Sequence, residues 1–173
     1  MHRTFLTSWV TVALLAWAVA GCDNPNPGAP LGTFSVSSSL TGNSCGSDGA
    51  ASDPGRFAVT ISNDDGLVYW FPDTGASSAS GTINSARTVT ISEVVADNLS
   101  APDGAAGACT LQRNDTLRFT LAAGSAPAAF TGSYAFIMTP AVGAECSDQL
   151  ASKGGGYAAL PCTVSYSLAG TRK

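Results

Sequence analysis

Residues 56–71 read RFAVTISNDDGLVYWF, two apolar runs separated by a polar turn. In the first run Phe57, Val59 and Ile61 fall at every second position, with smaller or polar residues between them. Alternation with a period of two is typical of a strand that buries one face in an antiparallel sheet. Residues 63–66, NDDG, favour a hairpin turn because Asn, Asp and Gly tolerate positive φ. The stretch therefore predicts a β-hairpin, with the second apolar run as its return strand.

Similar runs occur along most of the chain, and each predicts a strand. The predicted strands cover residues 32–40, 56–62, 67–71, 81–95, 109–112, 116–121, 130–138 and 162–168. A break or bulge is expected near Asn84, and Arg113-Asn114-Asp115 favours a hairpin turn between two of the runs. The pattern predicts an all-β fold of about eight strands, as a single antiparallel meander barrel or a β-sandwich. Parity favours the barrel, because an even number of strands lets the first and the last pair antiparallel.

One short helical turn is expected between Ser147 and Lys153. Ser147 is a candidate N-terminal cap, and Lys153 would lie at the negative end of the helix dipole. Gly154 follows as a candidate C-terminal stop. No other segment has apolar residues at a period of 3.6, so the domain is expected to be built almost wholly from strands.

The first 21 residues have the pattern of a secretory signal peptide. His2 and Arg3 give a short positive region, and residues 5–20 are almost wholly apolar. This run is short for a membrane span, which needs about 20 apolar residues, and no basic cluster follows it. We therefore expect the segment to be removed on export.

The signal ends in Val19-Ala20-Gly21-Cys22, which resembles the lipobox of bacterial lipoproteins. The resemblance implies cleavage before Cys22 and diacylation of its thiol. Acyl chains anchor a protein durably, because each buried methylene contributes about 0.8 kcal/mol. An ordinary signal peptide followed by a half-cystine is the alternative. The expected location is the bacterial cell envelope, on a membrane and facing the periplasm; Asp23 leaves the choice between inner and outer membrane open.

Three segments follow from this interpretation. Residues 1–21 are the signal peptide, and residues 22–30 combine the lipidated cysteine with a Pro-rich tether that can hold neither a helix nor a central strand. Residues 31–173 form one all-β domain, which is long enough to bury a core. The chain as a whole resembles small β-rich envelope lipoproteins of Gram-negative bacteria.

Four cysteines remain once Cys22 is assigned to lipid, and exported compartments favour disulfides. Pairing Cys146 with Cys162 and Cys45 with Cys109 is preferred, because the first pair would bracket one loop. The rival pairing, Cys45 with Cys162 and Cys109 with Cys146, suits a closed barrel in which the first and last strands meet.

Charge and histidine content exclude several classes of function. The chain has 8 basic and 12 acidic side chains, and an acidic balance argues against nucleic acid as a partner. His2 is the only histidine, so a chain processed before Cys22 has none. This removes Ser-His and Cys-His catalysis and His-ligated metals. We expect no enzymatic activity, no metal and no cofactor.

Residues 73–77, DTGAS, resemble the active-site segment of aspartic proteases, in which two aspartates share a proton. One copy per chain would require a homodimer that uses Asp73 from each subunit. Pro72 departs from the aliphatic residue that usually precedes this aspartate. The competing interpretation is an ordinary β-turn, which the sequence favours strongly.

Residues 67–71, LVYWF, are apolar on both faces, unlike the other predicted strands. Val68 and Trp70 are therefore a candidate surface patch for a partner, since exposed aromatics dominate binding energies. Core packing of both side chains is the favoured alternative.

Binding is the class of function that remains. The leading expectation is a non-enzymatic envelope protein that acts through a protein or glycan partner. A second is a carrier of small apolar ligands: residues 32–34, GTF, resemble the G-x-W of lipocalins, and such a carrier needs a cavity. An enclosed cavity lined by Phe34, Val59, Tyr134 and Phe136 would support this carrier, and a filled core would remove it. A third is a periplasmic inhibitor of lysozyme or proteases, which needs an exposed loop with a projecting side chain.

Overall fold

The computed structural model describes residues 26–46, 55–99 and 109–173. The expected signal peptide and the lipidation site at Cys22 lie outside these residues. Within them, the fold is all-β, as the sequence predicts. The strands are β1 (Ala29–Asn43), β2 (Arg56–Asp64), β3 (Leu67–Pro72), β4 (Ala79–Ile83), β5 (Thr88–Leu99), β6 (Cys109–Leu121), β7 (Ala129–Pro140) and β8 (Cys162–Arg172).

The strands form a closed antiparallel barrel with the connectivity of a meander. Each strand pairs with the next along the chain, and β8 pairs with β1 through a ladder from Phe34–Arg172 to Asn43–Val164. This confirms the barrel and excludes the sandwich. The NDDG turn also forms as predicted, with positive φ at Asp65 and Gly66. Among the described residues, no helix is long and apolar enough to cross a lipid bilayer.

The strand number agrees with the prediction, although some strand boundaries differ. The break expected near Asn84 is confirmed, and it divides the run at residues 81–95 between two strands, β4 and β5. The predicted hairpin at Arg113-Asn114-Asp115 is wrong, because β6 continues through it without interruption. Arg113 and Asp115 are charged, yet they remain on the inward face of β6, where they pair with each other. The strand therefore keeps its alternation.

The barrel has two halves, one at each end of the strands. We call the half that contains the turns after β2, β4 and β6 the closed half, and all eight strands contribute to it. The loop half contains the opposite ends of the strands and residues 141–161, which connect β7 to β8. Each half has its own buried apolar cluster, and Tyr134 packs against both clusters.

Aromatic rings fill the closed half. The rings of Phe34 and Phe130 have centroids 5.4 Å apart, and those of Phe119 and Phe130 5.2 Å apart. Gly170 makes room for this packing, because a Cβ at position 170 would lie 2.1 Å from the Phe130 ring. Trp70 lies 5.3 Å from Phe119 between ring centroids and completes the group. This half is a packed core of the kind that small barrels form.

The loop half is held by both disulfides, and the preferred pairing is wrong. Cys45 is bonded to Cys162 and Cys109 to Cys146, which is the rival pairing. The closed barrel explains the outcome: β1 and β8 are neighbours, so the end of one strand lies beside the start of the other. The second bond ties the start of β6 to residues 141–161. Disulfides follow spatial neighbours, not proximity along the chain.

The predicted helical turn is two short 3-10 turns, at Ser147–Gln149 and Ala151–Lys153. Ser147 does not act as a side-chain cap, since the N-cap position is Cys146 and no side chain bonds there. Gly154 adopts the left-handed conformation that ends the second turn, with φ of 87°. The stop signal was therefore predicted correctly, and the start signal was not.

Candidate functional site

A pocket of about 400 Å³ opens into the barrel at the junction of the two halves. Its floor is apolar and includes Phe57, Trp70, Ile91, Leu117 and Leu168. Its polar lining consists of Thr74, Ser77, Glu93, Arg113, Asp115 and Tyr134. Such a combination of an apolar floor and a few convergent polar groups is typical of small-molecule sites. We call it the barrel pocket.

Unequal strand lengths place the barrel pocket where it is. β3 and β4 have only 6 and 5 residues, whereas β5 and β6 have 12 and 13. The ladder between β4 and β5 contains only the pairs Thr82–Thr90 and Ile83–Val89. Among the described residues, the part of β5 beyond Ile91 is therefore not paired with β4, and its inward face is left open on that side. The loop between β3 and β4 supplies Thr74 and Ser77 to the rim instead.

Three polar side chains of the barrel pocket form one hydrogen-bonded group, which we call the interior triad: Arg113, Asp115 and Tyr134. Arg113 Nε donates to Asp115 Oδ1 at 2.7 Å, and Tyr134 Oη donates to Asp115 Oδ2 at 2.9 Å. Arg113 Nη2 in turn donates to Tyr134 Oη. The guanidinium also lies over the ring of Phe136, 4.4 Å from its centroid. Both oxygens of Asp115 are thus occupied within the triad.

Burial and charge perturb two members of this triad. Burial raises the pKa of Tyr134 to about 12, because the phenolate is poorly solvated inside the barrel and lies near Asp115. Burial opposes the charge of Arg113, but the hydrogen bonds and charges of Asp115 and Tyr134 outweigh it and raise the pKa of the guanidinium. At neutral pH the guanidinium of Arg113 therefore stays charged and the phenol of Tyr134 keeps its proton.

Glu93 lies opposite Asp115 in the ladder between β5 and β6, so the two side chains share the inward face. Its carboxylate lines the barrel pocket and is exposed. The ion pair found among the described residues joins Arg113 to Asp115, and Glu93 forms none there. The pocket thus contains two carboxylates and one guanidinium, a formal net charge of −1.

The candidate surface patch does not form. Val68 is 0% exposed and Trp70 is 7% exposed, and both belong to the core of the closed half. The favoured alternative, core packing, is what the structure shows. Trp70 nevertheless contributes to the floor of the barrel pocket, so its indole edge lies beside the space a ligand would fill.

Asp73 forms a turn, as the competing interpretation of the protease-like segment predicts. Its backbone N–H donates to the carbonyl oxygen of Ala58 at 3.0 Å, and its Oδ1 accepts from the Ala58 N–H at 2.8 Å. The carboxylate therefore stabilises the end of the β2–β3 hairpin. Among the described residues, no group of three or more Asp, Glu, Cys or His side chains is arranged to hold a metal ion.

The enclosed cavity that would support a lipocalin-like carrier does not form at the four residues named for it. Phe34 and Val59 are in the filled core of the closed half, and Phe136 is buried in the cluster of the loop half. Of the four residues, Tyr134 lines the barrel pocket, which is an open pocket at a different place.

Sequence reasoning missed Glu93, Arg113 and Asp115. A signal for two of them was present: Arg113 and Asp115 continue the odd-numbered positions of Leu111 and Leu117, all on one face of β6. Opposite charges two residues apart within an alternating apolar series fit two interpretations, an inward ion pair on a continuous strand or a turn.

The fold and its site define a disulfide-bonded meander barrel with a lateral pocket. Comparison with known proteins finds no matching family model, no matching curated protein and no matching solved structure.

Proposed function

We propose that this protein is a lipid-anchored, non-enzymatic binding protein of the bacterial cell envelope that holds a small ligand in the barrel pocket. The observation that carries the proposal is the pocket itself: about 400 Å³, with an apolar floor and the interior triad at one side. This volume lies within the range of small-ligand sites. The ligand has an apolar body that covers Phe57 and Leu168 and a polar end at the polar side of the pocket.

The proposal that the protein is not an enzyme rests on the side chains that are available for catalysis. His2 is the only histidine and lies in the expected signal peptide. Asp73 is engaged with the backbone of Ala58, and Asp115 is engaged with Arg113 and Tyr134. Glu93 is the pocket carboxylate that forms no hydrogen bond or ion pair with the other described residues, so the proposal rests on the lack of a second free acid or base beside it among the described lining residues.

The anchor rests on the resemblance of Val19-Ala20-Gly21-Cys22 to the lipobox. Two acyl chains hold a protein to a bilayer durably. Growth with an alkyne-bearing palmitate analogue is expected to label the chain, and Cys22→Ala is expected to remove the label. Labelling that persists in the variant would contradict the anchor.

Equilibrium dialysis of the lipidated full chain, held in phosphatidylcholine nanodiscs, tests the binding function. 4-Phenylbutanol serves as the probe, and empty nanodiscs correct for partitioning into lipid. Ala79 lines the pocket, so Ala79→Phe is expected to fill it and to reduce binding by about tenfold or more. Ala96→Phe is the matched control, because Ala96 is exposed and on the outer face of β5. Equal binding by both variants, or none by the parent, would refute the pocket as a ligand site.

A second candidate is the periplasmic inhibitor, which one observation favours. Val142 is fully exposed, at 107%, where residues 141–161 leave β7. A projecting apolar side chain on a disulfide-tied loop fits the active-site cleft of an enzyme. Inhibition of lysozyme that is lost on Val142→Asp would support this function, and no inhibition by the parent protein would remove it.

A further inference from the structure

The charges in the barrel pocket select between ligands of opposite sign. Arg113 is the only cation among the lining residues, and Asp115 already pairs with it at 2.7 Å. An anionic ligand would have to displace Asp115 from the guanidinium and would leave that carboxylate without its partner. It would also lie near the carboxylate of Glu93. Removing one partner from an inward ion pair is costly, so the pocket disfavours anions.

Glu93, in contrast, can bind a cationic ligand. Its carboxylate lines the pocket and forms no ion pair or hydrogen bond with the other described residues. Each carboxylate oxygen can accept two hydrogen bonds, and an ammonium group carries three donors. A ligand amine at this position would gain a charged partner without breaking the interior triad.

Further negative charge lies on the same side of the barrel. Asp97 lies opposite the buried Leu111 in the ladder between β5 and β6, on the same inward face as Glu93. Asp97, Glu93 and Asp115 together outnumber Arg113 on the inner faces of β5 and β6. A low-dielectric wall focuses such a field into the pocket, which raises the local concentration of cations.

The floor of the pocket suits the rest of such a ligand. The rings of Phe57 and Trp70 meet edge to face, with centroids 6.3 Å apart, and Leu117 and Leu168 extend the apolar surface. Burial of apolar area against these side chains supplies binding energy of about 25 cal/mol per Å². Aromatic faces also attract cations.

We propose that the barrel pocket binds amphiphilic amines, with an aromatic or aliphatic body against Phe57, Trp70 and Leu168 and a protonated amine on Glu93. This inference rests on the proposed binding function and names the chemical class of its ligand.

Three compounds that share one body test it: 4-phenylbutylamine, 4-phenylbutanol and 4-phenylbutyrate, a cation, a neutral alcohol and an anion. They are measured by equilibrium dialysis against the lipidated full chain in phosphatidylcholine nanodiscs, with empty nanodiscs as the blank. We expect the amine to bind about tenfold more tightly than the acid, with the alcohol between them. Added salt is expected to reduce the preference.

Glu93→Gln removes the charge and keeps the shape of the side chain. It is expected to reduce amine binding by about fivefold and alcohol binding by less. The chain contains one other glutamate, Glu145, which is exposed and outside the pocket, so Glu145→Gln is the matched control. Near-ultraviolet circular dichroism verifies that each variant keeps the parent fold.

The outcomes separate the two proposals. Binding of the alcohol with equal or tighter binding of the acid refutes the amine inference and leaves the pocket as a ligand site. A preference for the amine that Glu93→Gln does not reduce also refutes the inference, because the selectivity then arises elsewhere. If none of the three compounds binds, the proposed function itself fails.

Discussion

The closed half and the loop half of the barrel bury their strands in different ways. In the closed half all eight strands pair around the barrel, and aromatic rings fill the interior. In the loop half, the ladder between β1 and β2 ends at the Ser37–Arg56 pair and that between β4 and β5 at Thr82–Thr90. Residues 141–161 cover the inner face there, and both disulfides are in this half.

The difference shows where a small barrel can hold a ligand. A complete ladder around a filled core leaves no interior space for a ligand. In the closed half, the rings of Phe34 and Phe119 fill the interior. Where short strands end before their neighbours, the inner face of the longer strands lacks a facing side chain. The barrel pocket lies at this transition, and Arg113 and Asp115 are tolerated inside because they pair there.

Removing either disulfide bond of the loop half is expected to have the largest effect on the free energy of unfolding. Cys45 and Cys162 are separated by 117 residues, and replacing both with Ala is expected to cost about 5 kcal/mol in the chain-entropy model. Cys109 and Cys146 are separated by 37 residues, so the corresponding loss is about 4 kcal/mol. Urea unfolding measures both. A loss below about 1 kcal/mol in either variant would mean that packing alone holds the loop half.

Truncating an aromatic side chain in each half is expected to have the next largest effect. Phe119→Ala should cost about 4 kcal/mol, because its ring packs against both Trp70 and Phe130. Phe136→Ala, in the loop half, should cost about 3 kcal/mol, since its ring contacts are Tyr134 and Arg113.

Trp70 fluorescence distinguishes the two halves in this pair of variants. The emission is expected to shift in Phe119→Ala and to stay unchanged in Phe136→Ala, because Trp70 contacts the first ring and not the second. Equal shifts in both variants would show that the two clusters form one cooperative core. The two halves would then be a geometric distinction without separate energetics.

Replacing Tyr134 at the junction is expected to have the smallest effect. Tyr134→Phe should cost about 1 to 2 kcal/mol at neutral pH, because Arg113 and Asp115 each lose a partner. Burial raises the pKa of Tyr134 from 10.0 to about 12, so the folded state keeps a proton that the unfolded state releases. This contribution to stability is fully present below pH 10 and is lost as the pH rises through about 12.

Urea unfolding across the alkaline range measures that loss in the parent protein and its reduction in Tyr134→Phe. Tyr157→Phe is a comparison and not a control: burial also raises the pKa of Tyr157, so this variant is expected to reduce the alkaline loss as well. An unchanged alkaline slope in Tyr134→Phe would show that Tyr134 ionises alike in the folded and unfolded chains.

The fold could be predicted from local signals to a useful extent. Period-two alternation and the NDDG turn identified the strands around Phe57 to Phe71 because a half-buried strand must alternate. The hairpin at Arg113-Asn114-Asp115 was a wrong prediction because turns and inward ion pairs use the same residues. The disulfide pairing was wrong because distance along the chain is a poor guide once a barrel brings β1 beside β8.

The candidate site was far less predictable. Glu93, Arg113, Asp115 and Tyr134 come from three strands, and each is an ordinary residue in its own segment. Trp70 was named as a candidate surface residue, with core packing as the favoured alternative. It lies in the core, and its place in the pocket floor depends on where β3 ends. The pocket forms where short strands end before the longer strands beside them, and such an arrangement has no local pattern in the sequence.

The sequence by itself determined that the domain is an antiparallel all-β structure, because alternation and turn residues act over a few positions. It also determined that His2 is the only histidine, because composition does not depend on folding. Only the tertiary structure decided which cysteines meet, which charges face inward and where the pocket opens. Those features depend on the register and lengths of strands distant in sequence, and register is set by the packing of the whole barrel.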